Sequence, residues 1–172
     1  KGSKTKQISF PLGGIGTGCL GLSGNGRFVD WEIFNRPDKG SVNGHTHFSI
    51  RAEKEGKVLD ARVMQGDLLP PYTGSLAKSK ASFGTGPPRE WLAGTPHFGA
   101  SSFRGEFPLA VLSLEDEAFP GDVELTAFNP FIPINDRDSG IPGAFFEIDI
   151  LNTAESVLSY TVCFCVNNPH PV

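Results

Sequence analysis

The sequence predicts an all-β protein, an antiparallel β-sandwich, and three observations carry that prediction. Several short segments alternate apolar and polar residues with a period of two, which is typical of strands with one buried face. The 172 residues include 21 glycines and 14 prolines, a high share that implies many chain reversals. No segment of convincing length has the 3.6-residue periodicity of an amphipathic helix.

The chain opens with a basic, polar lead-in at residues 1–7, which we expect to be frayed. A glycine-rich segment follows at residues 10–21, and from Gly16 to Gly21 it has the G-x-G-x-x-G spacing of a dinucleotide-binding motif. That motif must open a helix, which the Leu-Ser-Gly-Asn-Gly run at 22–26 cannot do. The glycines are therefore interpreted as positions where another strand or loop approaches the backbone closely.

Residues 24–26 are typical of a hairpin turn. The strand that leaves the turn is expected to place Val29, Trp31 and Ile33 on its apolar face, with Asp30 on the solvent face. Apolar alternation indicates further short strands at residues 48–52, 58–64, 103–114 and 123–127.

The periodicity disappears between residues 65 and 102, where Gly, Pro and Ser are scattered throughout. A connection this long inside a compact domain is uncommon and is either functional or an insertion, so we treat it as a loop-rich insertion. It contains Tyr72 and Trp91, and an aromatic ring complements the apolar face of a pyranose. These two residues are the candidates for sugar stacking.

The loop at residues 129–142 contains three prolines, at Pro130, Pro133 and Pro142. Each removes a backbone donor and restricts the residue before it, so we expect neither a helix nor a central strand there. The polar block at 135–139 has short side chains that can hydrogen-bond their own backbone, which predicts a tight turn.

Two alternating segments follow this loop. Phe146, Ile148 and Ile150 fall on one face of the first, which predicts a half-buried strand. Residues 158–166 repeat the pattern after a short polar turn, so the two segments are predicted to form an antiparallel hairpin.

Composition excludes two classes of partner. The net charge of −4 and the scattered basic residues leave no basic face for nucleic acid. No apolar run approaches the roughly 18 residues of a transmembrane segment. Cys163 and Cys165 suit neither a disulfide framework nor a zinc knuckle, which favours a reducing, cytoplasmic location. A leader removed before Lys1 would leave that location open.

Few residues have the spacing that chemistry requires. Asp136 and Asp138 are the only acidic pair in a shaped loop, but a glycosidase needs two carboxylates across a cleft. A calcium loop needs further oxygen ligands, and His45 and His47 lack a third metal ligand. We therefore nominate no catalytic residue, no metal site and no cofactor.

Two motifs point to a family. One is the glycine-rich opening ISFPLGGIGTGCLGLSGNGRFVDWEIFNRP, and the other is the loop and strand AFNPFIPINDRDSGIPGAFFEIDILNTAES. Together they resemble the N-terminal domain of glycoside hydrolase family 116, over residues 10–52 and 103–166. That family includes the non-lysosomal glucosylceramidases, or bile-acid β-glucosidases, and related bacterial β-glucosidases.

The resemblance implies that residues 1–172 are the N-terminal β-sandwich of a retaining β-glucosidase, supersandwich-like and only part of a larger sandwich. In such enzymes an (α/α)6 barrel carries the nucleophile and the acid/base. That barrel is expected downstream and is absent from this chain. The implied partner is the catalytic domain of the same polypeptide, which would act on a carbohydrate or glycolipid.

By the same resemblance, the polar block is the candidate for an interdomain or cleft-rim loop; its residues are Asn135, Asp136, Arg137, Asp138 and Ser139. Two alternatives stay open. The chain could be a stand-alone carbohydrate-binding module that uses Trp91 or Tyr72, or a structural module that mediates assembly.

Overall fold

The computed structural model describes residues 1–70 and 87–170, and Tyr72 lies outside that part of the chain. The ten strands of the described residues are β1 Ser9–Leu12, β2 Cys19–Ser23, β3 Phe28–Glu32, β4 His47–Lys54, β5 Lys57–Val63, β6 Ala100–Glu106, β7 Leu109–Glu115, β8 Asp122–Phe128, β9 Phe145–Leu151 and β10 Ser159–Cys165. Two 3₁₀ turns, Gly2–Thr5 and Arg89–Trp91, and a one-turn helix α1 at Asp136–Ser139 complete them. None of these helices is long and apolar enough to cross a membrane.

The strands form three antiparallel sheets with the orders β1-β2-β3, β10-β4-β5 and β6-β7-β8-β9. Alternation along the strands gives each sheet a buried face. In β8, for example, Val123, Leu125 and Ala127 are buried, while the residues between them face outward or are half-buried. The prediction of an all-β, sandwich-like fold is confirmed.

One hydrophobic core joins the three sheets. The sheets meet where the rings of Phe28, Phe48 and Phe146, one from each, lie 5.2 to 5.9 Å apart between centroids. Leu112 and Leu125 are fully buried against the same cluster. Truncation of a leucine in such a core costs about 2 to 5 kcal/mol of stability, so this shared core holds the sheets together.

The predicted hairpin of the last two strands is wrong. β9 pairs with β8 at the edge of one sheet, whereas β10 pairs with β4 of another, with Val162 opposite Ile50. Residues 152–158 carry the chain between the sheets, and the Tyr160 hydroxyl donates to the carbonyl of Pro120. Alternation shows that a strand has one apolar face, but it does not specify the neighbouring strand.

The lead-in at residues 1–7, for which the sequence predicted fraying, contains a 3₁₀ turn that packs against the sandwich. Thr5 is buried at the end of the first 3₁₀ turn, and its hydroxyl donates to the Gly2 carbonyl at 2.8 Å. It packs so closely on Gly24 that a β-carbon there would lie 2.6 Å from the Thr5 carbonyl oxygen. The ammonium of Lys1 also contacts Glu115 at 2.8 Å. Burial of Thr5 against the hairpin turn therefore fixes this segment.

The flanks of the expected insertion at 65–102 are packed onto the core. Gly66 forms a parallel β-bridge with Phe98, which is completely buried. Arg62 donates to the carbonyl of His97 at 2.9 Å, and β6 already begins at Ala100. The buried ring of Phe98 anchors the C-terminal flank of this segment. A single buried residue leaves no periodic pattern that the sequence could show.

Asp30 does not face solvent as its alternation predicted, because β3 contains a bulge. The register between β2 and β3 shifts between Cys19 and Gly21, and Asp30 has a φ of 51°, in the left-handed region. The bulge turns its carboxylate inward, where it accepts hydrogen bonds from the Ser9 hydroxyl and the Gly40 amide, both at 2.6 Å. A buried acid thus holds together β1, β3 and the loop after β3.

Burial alone would raise the pKa of Asp30, but the bonds from Ser9 and Gly40 and the nearby Lys39 ammonium hold it below its usual value. A carboxyl whose pKa is lower in the folded state stabilises the fold above its unfolded pKa, near 4. That stability is lost as the pH falls through the folded value.

We predict that Asp30→Asn lowers the free energy of unfolding by about 2 kcal/mol near neutral pH, because two charge-assisted hydrogen bonds are weakened. Asparagine tolerates a positive φ as aspartate does, so the substitution leaves the backbone strain at position 30 unchanged. Urea unfolding between pH 3 and 7 should also show that the variant loses less free energy of unfolding than wild type as the pH falls. Asp122→Asn, at an exposed position of β8, should behave as wild type. Equal stability of Asp30→Asn and wild type at pH 7 would contradict this role.

Candidate functional site

The loop between β8 and β9 is shaped by the polar block that the sequence singled out. Asn135 caps helix α1: its carboxamide oxygen accepts from the Asp138 amide at 3.1 Å, and its amino group donates to the Asp138 carboxylate at 2.7 Å. The expectation that no helix forms in the loop at residues 129–142 is wrong for Asp136–Ser139. Pro133 precedes the cap and Pro142 follows the helix, so the four residues of the turn lose no required donor.

The buried side chain of Ser139 links the two ends of the loop segment at residues 132–139 by hydrogen bonds. Its buried hydroxyl accepts from the Ile132 amide at 2.9 Å and donates to the Ile132 carbonyl at 3.0 Å. Its own carbonyl accepts from the Ile15 amide at 2.8 Å. The loop after β8 is therefore tied to the glycine-rich loop after β1.

The glycine-rich loop needs its glycines for this contact. A β-carbon on Gly14 would collide with the carbonyl of Ile141, and Gly13 has a φ of 142° and lies against Gly18. The interpretation that these glycines permit a close backbone approach is confirmed at Gly14.

Asn129 connects the two loops at their base. Its buried carboxamide accepts from the Gly13 amide at 2.6 Å and donates to the Pro11 carbonyl at 2.9 Å. Its own amide donates to the Pro108 carbonyl at 3.1 Å. One residue thus fixes the end of β1 against the end of β8 through its side chain, and contacts the turn between β6 and β7 through its backbone amide.

A group of exposed apolar residues surrounds this junction. We call it the loop-end surface, and its members are Ile15, Phe107, Phe131, Ile132, Ile134 and Ile141, each at least 39% exposed. The rings of Phe107 and Phe131 contact each other at 5.2 Å between centroids. Clustered exposure of this kind marks interaction sites in soluble proteins, whereas single exposed apolar residues need no explanation.

Ile134 is the most unusual member of the loop-end surface. Its side chain is fully exposed, and its φ of 66° is in the left-handed region, where a β-branched residue is rare. Such a conformation costs about 1 to 2 kcal/mol for an L-residue, and nothing in the described part of the chain covers the side chain in return. Strain without local compensation points to a functional reason.

The five predicted rim residues divide into two groups. Asn135, Asp138 and Ser139 bond to the loop itself and determine its shape. Asp136 and Arg137 are exposed and available to a partner. Sequence reasoning missed the apolar members of the surface, although the run Phe-Ile-Pro-Ile at residues 131–134, inside a proline-rich loop, was a signal for them.

The sugar-stacking candidate Trp91 lies at the other end of the sandwich. The guanidinium of Arg27 covers one face of its ring, 4.1 Å from the centroid. That face is therefore not free to stack on a sugar. The second candidate, Tyr72, lies outside the described residues.

Within residues 1–70 and 87–170, no group of three or more His, Cys, Asp and Glu side chains could hold a metal ion. His47 instead contacts the backbone carbonyl of His45 at 2.5 Å through its ring nitrogen. The acidic pair of Asp136 and Asp138 lies on helix α1, where one of its two carboxylates is bonded to the helix cap. The strongest feature of the described residues is thus the loop-end surface.

We predict that Asn129→Ala lowers the free energy of unfolding by about 2 kcal/mol, because it removes two hydrogen bonds that a buried side chain makes to the Gly13 amide and the Pro11 carbonyl. Asn152→Ala is the matched control, since it also removes local backbone hydrogen bonds but at an exposed turn. Its loss should stay below about 1 kcal/mol, as hydrogen bonds to exposed backbone are replaced by water. Chemical denaturation measures both, and equal losses would contradict the role of Asn129.

Comparison with known proteins agrees with this arrangement. The family model described as beta-glucosidase 2, glycosyl-hydrolase family 116 N-term, matches residues 9–170, which is nearly the whole chain. No curated protein matches the chain significantly. The matched region includes both the glycine-rich loop and the loop that carries helix α1. The chain belongs to the family of N-terminal domains of glycosyl hydrolase family 116.

Proposed function

We propose that this chain is the non-catalytic sandwich of a retaining β-glucosidase, and that its loop-end surface docks against the catalytic domain of the same polypeptide. The observation that carries the proposal is Ile134, which is apolar, fully exposed and strained. Burial of its side chain in an interface would contribute about 1.5 to 3 kcal/mol, enough to offset the strain. A domain of a glycoside hydrolase has a catalytic partner domain for which such a surface is suited.

The polar residues of the same loop support a second contribution, at the rim of the active-site cleft. Asp136 and Arg137 project from helix α1 beside Ile134 and make no side-chain hydrogen bond or ion pair with other described residues. A loop fixed at both ends by Asn129 and Ser139 would present these two charges at a defined position. Catalysis itself is assigned to the partner domain, with glucosylceramide-like glycolipids or other β-glucosides as its substrates.

The edge of β10 supports the expectation of a larger sandwich. This strand carries no charged residue, proline or glycine, and Val162 and Phe164 on it are exposed. Natural proteins usually protect an open edge with charges, proline or a covering segment. An unprotected edge is consistent with pairing to a further strand of the whole hydrolase.

The alternative, a stand-alone carbohydrate-binding module, has less support. One face of its candidate Trp91 is occupied by Arg27.

We predict that Ile134→Asn has opposite effects in two settings. In this chain alone it should raise the free energy of unfolding by up to about 1 kcal/mol, because asparagine adopts a positive φ more readily than isoleucine. In the whole hydrolase it should lower the melting temperature and the activity, because an apolar anchor of the interface is lost. Calorimetry and hydrolysis of an aryl β-glucoside measure the two effects.

The matched control is Val157→Asn, at a residue that is 90% exposed and lies at the opposite end of the sandwich. It should leave the activity of the whole hydrolase unchanged. If Ile134→Asn has the same effect as the control in the whole hydrolase, the docking role of this surface is wrong.

A further inference from the structure

A cavity of about 240 Å³ lies at the end of the sandwich opposite the loop-end surface. It is surrounded by residues 5–7 of the lead-in, the turn between β2 and β3, residues 67–70 and the second 3₁₀ turn. The side chains that matter for its chemistry are Lys6, Gln7, Asn25, Arg27, Asp67 and Trp91. None of them belongs to the surface that the proposed function uses.

Arg27 is the unusual group in this cavity. Its Nε donates to the Asn25 carboxamide oxygen at 3.2 Å, and its guanidinium stacks on Trp91. The Nη1 atom is buried and has no hydrogen-bond partner among the described residues. Burial lowers the pKa of the guanidinium, as expected for a charge that has lost water. The structure thus holds a desolvated cation in a fixed orientation with free donor capacity.

No carboxylate neutralises Arg27 in the described part of the chain. The one acid of the cavity, Asp67, contacts His97 at 3.3 Å and makes no ion pair with Arg27. Asp67 therefore does not offset the charge of Arg27.

Arg27 is half-buried, and a partly desolvated arginine without a carboxylate partner is unfavourable because removing water from the charge costs free energy unless a partner offsets it. Guanidinium donors match the planar oxygens of carboxylate and the oxygens of phosphate. Lys6 adds a second positive charge to the cavity wall, and Gln7 adds a neutral polar group. The volume is at the small end for ligand pockets, which limits an occupant to about the size of a monosaccharide.

We propose that this cavity binds a small oxyanion, a phosphate or carboxylate group carried by a molecule no larger than a sugar, with Arg27 and Lys6 as the anion-binding residues. Trp91 positions the guanidinium of Arg27 by stacking. The strands that separate the cavity from the loop-end surface span about 20 Å, at roughly 3.3 Å per residue. Anion binding in the cavity is therefore independent of docking at the loop-end surface. The test of either proposal can fail without the other.

The fluorescence of Trp91 reports on the cavity, because a ligand that engages Arg27 changes the environment of the indole. Four probes are titrated into the protein at constant ionic strength: inorganic phosphate, glucose 6-phosphate, glucuronate and glucose. We expect a saturable change with at least one of the three anions and none with glucose. Tighter binding of glucose 6-phosphate than of phosphate identifies a phosphosugar, and preference for glucuronate identifies a sugar acid.

Three variants locate the site. Arg27→Gln should weaken anion binding at least tenfold, whereas Arg104→Gln, which removes the same charge from an exposed position on β6, should leave it unchanged. Lys6→Gln changes an exposed side chain and should weaken binding severalfold, so it tests the site even if Arg27→Gln perturbs the fold. Trp91→Phe should abolish the signal, while calorimetry still detects binding.

Two results overturn the proposal. One is no saturable change with any of the anions at millimolar concentration. The other is equal binding by wild type, Arg27→Gln and Lys6→Gln, which would place the anion elsewhere or make it a nonspecific counter-ion.

Discussion

The arrangement of the loops after β1 and β8 depends on the hydrogen bonds of the Asn129 carboxamide. The carboxamide joins the end of β1 to the end of β8 through one hydrogen bond accepted from the Gly13 amide and one donated to the Pro11 carbonyl. The glycine-rich loop can then pass directly over the loop that carries helix α1, and Gly14 admits that approach. Asn135, Asp138 and Ser139 bond within their own loop, whereas the apolar side chains of both loops face outward. The exposed surface is thus a consequence of how the loops are held.

Strand existence could be predicted from the sequence, whereas strand pairing could not. β8 and β9 alternate cleanly, and their half-buried faces match the pattern. β10 alternates equally well but joins a different sheet, because Tyr160 and the core determine its neighbour. Asp30 shows a second limit: a single extra residue in a bulge reverses which side chains point inward, and an aspartate at positive φ has no periodic signal.

The residues at the two ends of the sandwich differ in how far they could be predicted from the sequence. At the loop end, the polar block of residues 135–139 stood out by composition, and the resemblance to a hydrolase family gave it a context. The exposed isoleucines were missed, because apolar residues in a loop are normally read as buried. At the other end, Arg27 and Trp91 are 64 positions apart in the chain and only the fold brings them together. A charge without a partner is visible only once its surroundings are known.

The central claim is that the catalytic domain covers the loop-end surface. Hydroxyl-radical footprinting tests it most directly, by comparing side-chain oxidation in the whole hydrolase with that in this chain alone. The account predicts that Phe107, Phe131 and Ile134 are strongly protected in the whole protein, while Val58, an exposed residue of β5, serves as an internal reference. Equal oxidation of these three residues in both proteins would show that the surface stays open to solvent and would contradict the account.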